Sequence, residues 1–240
     1  MSNFLPNTFA PHIDKAALQS LPTTHFEGEV IIVDRKEQVA EAAAYLRQHT
    51  LLGVDTEARP SFKRGVHYPT ALVQVATQER CYLFRLTHVG LPAEIAEIFA
   101  NPEICKVGLA FKDDLAGLRR RREFKPTNCI DLQSIVCKYG IMELGLQKIF
   151  AIVFGKKISK AQQLTNWENS HLTADQARYA STDAWATLRI YQVLLQVKPL
   201  SKRAIEALKR AEKEKQIQRQ QEALAKKANN NNDNHSPQTT

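Results

Sequence analysis

The sequence predicts an α/β fold in which a mixed sheet is flanked by helices. Short apolar segments that are typical of strands are interspersed with segments whose apolar residues recur at helical spacing. The second half of the chain is mainly helical, which favours a mixed rather than an all-β architecture. The 240 residues, 43% of them hydrophobic, are enough for one sizeable domain with a buried core.

Six segments have the composition of strands. The sequence LLGVDTE, residues 51–57, is apolar on both faces and is therefore expected near the middle of the sheet. The polar turn QER between the third and fourth segments predicts a hairpin. The predicted strands are 29–33, 51–57, 70–77, 81–86, 105–111 and 128–132.

Helices are predicted between and after these strands. Pro92 is expected at a helix start, and Thr173 with Gln176 forms a capping box at the start of the last large helix. The helix that follows the fifth strand is expected to begin at Asp113 or Asp114. The predicted helices are 36–49, 92–101, 113–122, 132–139, 144–154 and 174–197.

Four segments are expected along the chain. An irregular leader, 1–27, precedes a main domain, 28–197, and a charged helical extension, 198–227, leads to a disordered Asn-rich tail, 228–240. The leader has no apolar core typical of a signal peptide, and no apolar run reaches 18 residues. We therefore expect a cytoplasmic protein without a membrane partner.

The charge of the chain favours an anionic polymer as its partner. The net charge is +8 and the isoelectric point is about 9.3, with much of the excess in the extension. Many basic helices bind nothing, so charge alone is a weak argument for nucleic acid. The four cysteines lie far apart and form no CxxC pair, which argues against structural zinc and against a disulfide framework.

Candidate catalytic residues begin with Asp55 and Glu57. They are two residues apart on a predicted strand, so their side chains point to the same face. Two neighbouring carboxylates are unfavourable unless a cation or another partner neutralises them. The pair alone is a weak signal, because a surface strand can carry two acids by chance.

Two further segments carry acids where they could reach the same site as Asp55 and Glu57. The sequence VGLAFKDDLAGL, 107–118, places Asp113 and Asp114 just after a strand, where one of them can be a helix cap. Tyr179 and Asp183 are four residues apart and therefore lie on one side of the last large helix. Each segment has an ordinary explanation when it is considered alone.

Together the three segments resemble the motifs of the DEDD superfamily of 3′–5′ exonucleases, over residues 28–197. Tyr179 resembles the tyrosine of the Tyr branch, which includes ribonuclease D and the exonuclease domain of the Werner syndrome helicase. The His branch carries histidine at the position that Arg178 occupies here. The resemblance implies a ribonuclease H-like fold, with a five-stranded mixed sheet and helices on both faces.

The resemblance also implies roles for the acids. Asp114 is six residues after Gly108, as in the family's second motif, which leaves Asp113 as the helix cap. Asp55 would bridge two divalent cations, Mg²⁺ or Mn²⁺, and Asp114 would hold one of them through water. The remaining carboxylates, of Glu57 and Asp183, would complete the shell of the cation that activates water, and Tyr179 would orient that water.

Substrate contacts are expected at the end of the second strand and in the loop 58–69. The expected contacts are Thr56, Ala58, Arg59, Phe62 and Lys63. The alternative is a solvated basic loop with Phe62 in the core. Lys160 and Trp167 fall where the family has similar residues, and Trp167 is expected to pack rather than to stack on a base. The run of four arginines, 119–122, is expected on a solvated face rather than beside the substrate.

The expected activity is the removal of nucleotides from single-stranded or recessed 3′ ends, with DNA favoured over RNA. The second motif is closer to the Werner-type domain, and ribonuclease D relatives usually carry further helical domains after the nuclease. Three alternatives stay open: RNA 3′-end processing of the ribonuclease D kind, an inactive nucleic-acid-binding relative, and a ribonuclease H-like endonuclease or integrase. The presence of all four acids and of Tyr179 favours an active exonuclease.

Overall fold

A six-stranded mixed sheet is the centre of the fold in the computed structural model, which describes residues 8–233. The strands are β1 (Glu29–Val33), β2 (Leu51–Ala58), β3 (Thr70–Ala76), β4 (Arg80–Arg85), β5 (Cys105–Gly108) and β6 (Cys129–Asp131). Their order across the sheet is β1-β4-β3-β2-β5-β6. Strands β2 and β3 therefore lie in the middle, as the apolar character of residues 51–57 predicts.

The sheet confirms the α/β class and corrects the number of strands. Strand β3 is antiparallel to both β2 and β4, so the predicted hairpin is present, and the remaining neighbours pair in parallel. The family resemblance implied five strands, but the short strand β6 pairs with β5 through the register Gly108↔Asp131 and adds a sixth. Residues 128–132 had the composition of a strand, and the pairing with β5 explains why they adopt it.

The helices agree with the expected positions but differ at several ends. Predicted helix 36–49 divides into a 3-10 turn and an α-helix, and predicted helix 132–139 does the same. The helices are α1 (Lys15–Ser20), α2 (Val39–Leu46), α3 (Leu86–Val89), α4 (Ala93–Ala100), α5 (Phe111–Arg121), α6 (Leu132–Ile135), α7 (Leu146–Phe154), α8 (Ala174–Leu194) and α9 (Lys202–Asp233), with 3-10 turns at Lys36–Gln38 and Val136–Tyr139.

Both faces of the sheet are covered, which places the helices around it as the ribonuclease H-like resemblance implies. One face packs against α2, α4 and α5 through an apolar cluster that includes Val54 and Val73. The other face packs against α8 through a cluster that includes Leu72, Ala180 and Ala184. Residues that alternate along β2 and β3 therefore belong to different cores.

The leader is more ordered than an irregular segment. Asp14 accepts a hydrogen bond from the Ala17 backbone N–H at 2.8 Å and caps the short helix α1. Phe9 and Phe26 are buried, because they pack into the apolar clusters beside α8. In the described part of residues 1–27, α1 is thus a helix that the sequence analysis did not predict, and the residues on either side of it are irregular.

The chain divides after Lys198 into two units, and α9 is the helix of the second. Its residues 202–227 are helical, as the charged composition of the extension predicts. Residues 228–233 also belong to α9, although they were expected to begin a disordered tail, and 234–240 lie outside the described residues. No helix in the described part of the chain is long and apolar enough to cross a membrane.

Candidate active site

Strand β2 and helix α8 bring three of the candidate acids together. Asp55 and Glu57 point to the face of the sheet that α8 covers, and Asp183 faces them from that helix. One carboxylate oxygen from each of the three lies within 4.8 Å of the other two. Alternation along β2 thus supplies two oxygens from one strand, and α8 supplies the third.

Small residues allow α8 to approach β2 so closely. A Cβ atom built on Gly53 would lie 2.1 Å from the backbone oxygen of Ala184, so any larger residue would push the helix away. Ala180 and Ala184 are themselves fully buried against the sheet. Since Asp183 is next to Ala184, the glycine two residues before Asp55 determines how near the two carboxylates can be.

The three carboxylates repel one another in a partly dehydrated site. Burial, followed by the charges of Asp183 and Asp114, raises the pKa of Glu57 to about 9. Burial raises the pKa of Asp183 to about 7, although a hydrogen bond with Tyr179 and the charge of Lys160 act against this. Burial and the neighbouring acids also raise the pKa of Asp55 well above its usual range.

This arrangement fits a divalent cation. The cluster offers oxygen ligands only, which Mg²⁺ and Mn²⁺ prefer over the nitrogen and sulfur ligands typical of zinc. A bound cation would neutralise the repulsion that raises the pKa values of these acids. Asp55, Glu57 and Asp183 are the residues that would hold it.

Asp114 belongs to a different contact. It lies on α5, and its Oδ1 accepts a hydrogen bond of 2.5 Å from the Thr56 hydroxyl, which points to the face of β2 opposite Asp55. It is not a member of the three-acid cluster, but its charge is close enough to raise the pKa of Glu57. Burial raises the pKa of Asp114 itself to about 6. Thr56, an expected substrate contact, thus binds the fourth acid, whose role as a metal ligand stays a prediction.

Asp131 is a residue that sequence reasoning did not identify. It follows Ile130 at the end of β6, and its carboxylate accepts hydrogen bonds of 3.0 Å from the backbone N–H groups of Ala110 and Phe111. The same carboxylate accepts a third bond of 3.0 Å from Gln133 N–H and so caps α6 as well. One acid from a neighbouring strand therefore anchors the start of the helix that carries Asp114.

The expectation that Asp113 caps α5 is wrong for this reason. The helix begins at Phe111, two residues earlier than the sequence predicts, and Ala110 is its N-cap with a left-handed φ of 53°. Asp113 is exposed and already inside the first turn. The Asp131 carboxylate satisfies the free N–H groups that a local aspartate would otherwise cap.

Replacement of Asp131 with alanine is expected to lower both stability and activity. Three buried or half-buried N–H groups would lose their acceptor, so the free energy of unfolding should fall by about 2 kcal/mol, measured by urea denaturation. Activity should fall because α5 would no longer hold Asp114 in place. Asp131→Asn, which keeps one acceptor oxygen, should be affected less; equal loss in both variants would contradict the capping role.

Tyr179 is held beside the acids by packing. Its ring lies 6.0 Å from that of Trp167, centroid to centroid, and both side chains are buried. Burial, and then the charges of Asp183 and Glu57, raise the pKa of the Tyr179 hydroxyl above its usual range. The hydroxyl therefore keeps its proton at neutral pH and can donate a hydrogen bond. Trp167 packs, as predicted.

The loop 58–69 is exposed beside the site. Phe62 is 84% exposed, so the alternative that placed it in the core is wrong. Arg59 lies 4.9 Å from the ring centroid of Tyr68 and 3.8 Å from a carboxylate oxygen of Glu168. Lys63 is exposed, as a residue that meets phosphates in solution must be. None of these side chains belongs to the three-acid cluster.

Two cavities meet at the end of β2. The one that holds the three acids has a volume of about 380 Å³, and its lining also includes Lys160 and Gln163. The other, of about 1100 Å³, is lined by Ala58, Asp114 and the arginine at position 120. Thr56 lines both, so the two cavities are neighbours along the strand.

The run of four arginines does not act as one surface. Arg121 donates from Nε to the carbonyl of Thr70 at 2.6 Å, and Arg122 donates to the carbonyl of Leu91 at 2.7 Å. Arg119, Arg120 and Arg122 are nevertheless exposed, and Arg120 lines the larger cavity. The expectation of a solvated face is therefore wrong only for Arg121, which is half-buried.

Comparison with known proteins assigns the chain to a family. A family model described as 3′–5′ exonuclease matches residues 30–197. The mouse (Mus musculus) bifunctional 3′–5′ exonuclease/ATP-dependent helicase WRN is 28% identical over 193 residues. That match covers 76% of this chain but only 14% of the mouse protein, so the similarity concerns one part of a much longer relative.

Solved structures show the same fold. The EXO domain of Nibbler from Aedes aegypti is similar with a TM-score of 0.65 and 22% identity, over 78% of this chain and 99% of the other. Ribonuclease D from Trypanosoma brucei, solved with RNA U12, gives 0.63 and 19% identity, over 72% and 64%. With this fold, three clustered acids and Tyr179 one turn before Asp183, the chain belongs to the 3′–5′ exonuclease family of the DEDD superfamily, whose members hydrolyse phosphodiester bonds.

Proposed function

We propose that this chain is a metal-dependent exonuclease that removes nucleotides from the 3′ end of DNA. The observation that carries the proposal is the cluster of Asp55, Glu57 and Asp183, one oxygen of each lying within 4.8 Å of the others. Two divalent cations, Mg²⁺ or Mn²⁺, would supply an activated water and stabilise the leaving oxygen. The chain supplies the carboxylates that would hold them.

The residues around the cluster would orient the attacking water, contact the phosphate and contact the second cation. Tyr179 would orient the attacking water through its hydroxyl, because its raised pKa keeps the proton in place. Lys160, whose charge acts on Asp183, is near enough to the acids to contact the phosphate that is cleaved. Asp114, fixed by the Thr56 hydroxyl, would contact the second cation through water.

The substrate path would begin at the loop 58–69. An exposed aromatic ring between cationic side chains suits the stacking of a base and the binding of phosphates, so Phe62, Arg59 and Lys63 are the proposed contacts near the 3′ end. Ala58 lines the adjoining cavity with Arg120, where the following nucleotides would lie. The preferred end would be single-stranded or recessed.

RNA is the second candidate substrate. The fold is similar to that of a ribonuclease D that was solved with RNA U12. We favour DNA because the second motif is closer to the Werner-type domain, and because the exonuclease/helicase relative is 28% identical to this chain over 193 residues. No feature of the three-acid cluster distinguishes the two sugars.

One gel experiment tests the activity and identifies whether DNA or RNA is the preferred substrate. Single-stranded DNA, recessed duplex DNA and RNA, each labelled at the 5′ end, would be incubated with Mg²⁺, Mn²⁺ or EDTA. We expect a ladder that shortens from the 3′ end of DNA with either cation, and no products in EDTA. Faster degradation of RNA would support the second candidate, internal cuts would indicate an endonuclease, and intact substrates would favour an inactive binding protein.

A further inference from the structure

Gln74 is a buried polar residue that the proposed mechanism does not use. It lies in the middle of β3 and is 0% exposed, yet neither its side-chain oxygen nor its nitrogen has a hydrogen-bond partner among residues 8–233. A buried amide without partners costs about 1–3 kcal/mol for each unpaired group. Such a group needs an explanation, since nearly all buried polar atoms are paired in folded proteins.

The register of the sheet places Gln74 directly opposite Asp55. The antiparallel pair β2–β3 aligns these two residues, and Glu57 is opposite Leu72. Residues that face each other in such a pair lie on the same side of the sheet, with Cβ atoms about 5 Å apart. The Gln74 amide therefore lies on the α8 side, beside the acid at the centre of the cluster.

The residues that flank Gln74 in the sheet and in the helix above it are apolar. On its second side it is paired with Leu83 of β4, and the layer above contains Ala180 and Ala184 of α8. The backbone groups of α8 are occupied by the helix itself. Arg85 Nε and Trp167 Nε1 are also buried without a partner, but both are donors and cannot accept a hydrogen bond from the Gln74 amide nitrogen. The Asp55 carboxylate is an acceptor directly opposite Gln74, and a glutamine side chain is long enough to span the distance.

We infer that Gln74 is a positioning residue which, when a cation is bound, donates a hydrogen bond from Nε2 to one oxygen of the Asp55 carboxylate. The bond leaves the other oxygen free and fixes the direction in which it points toward a bound cation. Partners of this kind, behind a metal ligand, determine ligand orientation and metal affinity. The inference rests on the proposed function, because it assigns Gln74 to the metal-binding form of the same site.

The test is the affinity of the full chain for Mn²⁺, measured without substrate by titration calorimetry or electron paramagnetic resonance. Gln74→Met keeps the length of the side chain and removes the donor. Its dissociation constant for Mn²⁺ should rise about tenfold. Leu83→Met, on the other side of Gln74 in the same layer, is the matched control and should bind Mn²⁺ like the wild type.

Thermal unfolding in EDTA separates positioning from simple support of the sheet. Gln74→Met removes an unpaired amide from apolar surroundings, so its metal-free Tm should be equal to or above that of the wild type. Gln74→Leu serves as a second variant with the same expectation. Mn²⁺ affinity within twofold of the wild type, or a joint fall of affinity and metal-free Tm, would overturn the inference.

The outcomes also separate this inference from the proposed function. A wild-type chain that binds Mn²⁺ but degrades neither DNA nor RNA would contradict the exonuclease activity, and the role of Gln74 would still be decided by the Mn²⁺ titration. A wild-type chain without measurable Mn²⁺ binding would overturn both.

Discussion

Replacement of Asp55 with asparagine is expected to reduce nuclease activity by at least about 10³-fold. Asp55 is the acid whose pKa responds to the most neighbours, since Asp183, Glu57 and Asp114 all act on it. It therefore lies at the electrostatic centre of the site. Asparagine keeps the shape and removes the charge, so the fold should persist while the strength of cation binding is lost.

The measurement is the rate of 3′-end shortening at saturating Mg²⁺, with Asp175→Asn as the control. Asp175 is an exposed acid on the first turn of α8, paired with Arg178 at 3.3 Å, and it does not belong to the three-acid cluster. Its loss removes one negative charge from the helix that carries Asp183 and should change the rate less than twofold. Activity of Asp55→Asn within tenfold of the wild type would remove Asp55 from the proposed mechanism.

The sequence was sufficient to predict the parts of the site that depend on local geometry. Alternation along a strand places Asp55 and Glu57 on one side, and a spacing of four residues places Tyr179 above Asp183 on a helix. Neither relation requires knowledge of distant pairing. The order of the three motifs then indicated the family. The family resemblance in turn implied that the strand with Asp55 and the helix with Asp183 pack against each other.

The parts that were missed depend on contacts between segments far apart in the chain. Asp131 caps α5 because β6 aligns with β5, and that register is not visible in the sequence of either strand. The pairing of Gln74 with Asp55 likewise depends on the register between β2 and β3. The helix therefore appeared to need a local cap at Asp113, although a distant carboxylate already supplied one.

Without divalent cations, the protein is expected to lose stability as the pH rises from about 5 to 9. The pKa of Glu57 is about 9, that of Asp183 about 7 and that of Asp114 about 6, whereas the same groups in an unfolded chain titrate near 4. Between these values the folded state binds more protons than the unfolded state, so the free energy of unfolding decreases with pH. This direction is opposite to that produced by acids whose pKa is lowered on folding.

Thermal unfolding in EDTA at pH 5.5, 7 and 8.5 measures this effect. A decrease in the free energy of unfolding on the order of 2 kcal/mol between pH 5.5 and 8.5 would lower Tm by about 4–8 °C. Mg²⁺ should restore most of the difference at pH 8.5, because it binds the ionised acids of the folded state and not the dispersed acids of the unfolded chain. Asp55→Asn should show a smaller pH dependence of Tm and a smaller response to Mg²⁺, since one of the repelling charges is gone.

A metal-free Tm that is constant or rises from pH 5.5 to 8.5 would contradict this expectation. It would show that these carboxylates do not repel one another in the folded protein, and the repulsion is the physical basis of the proposed cation site.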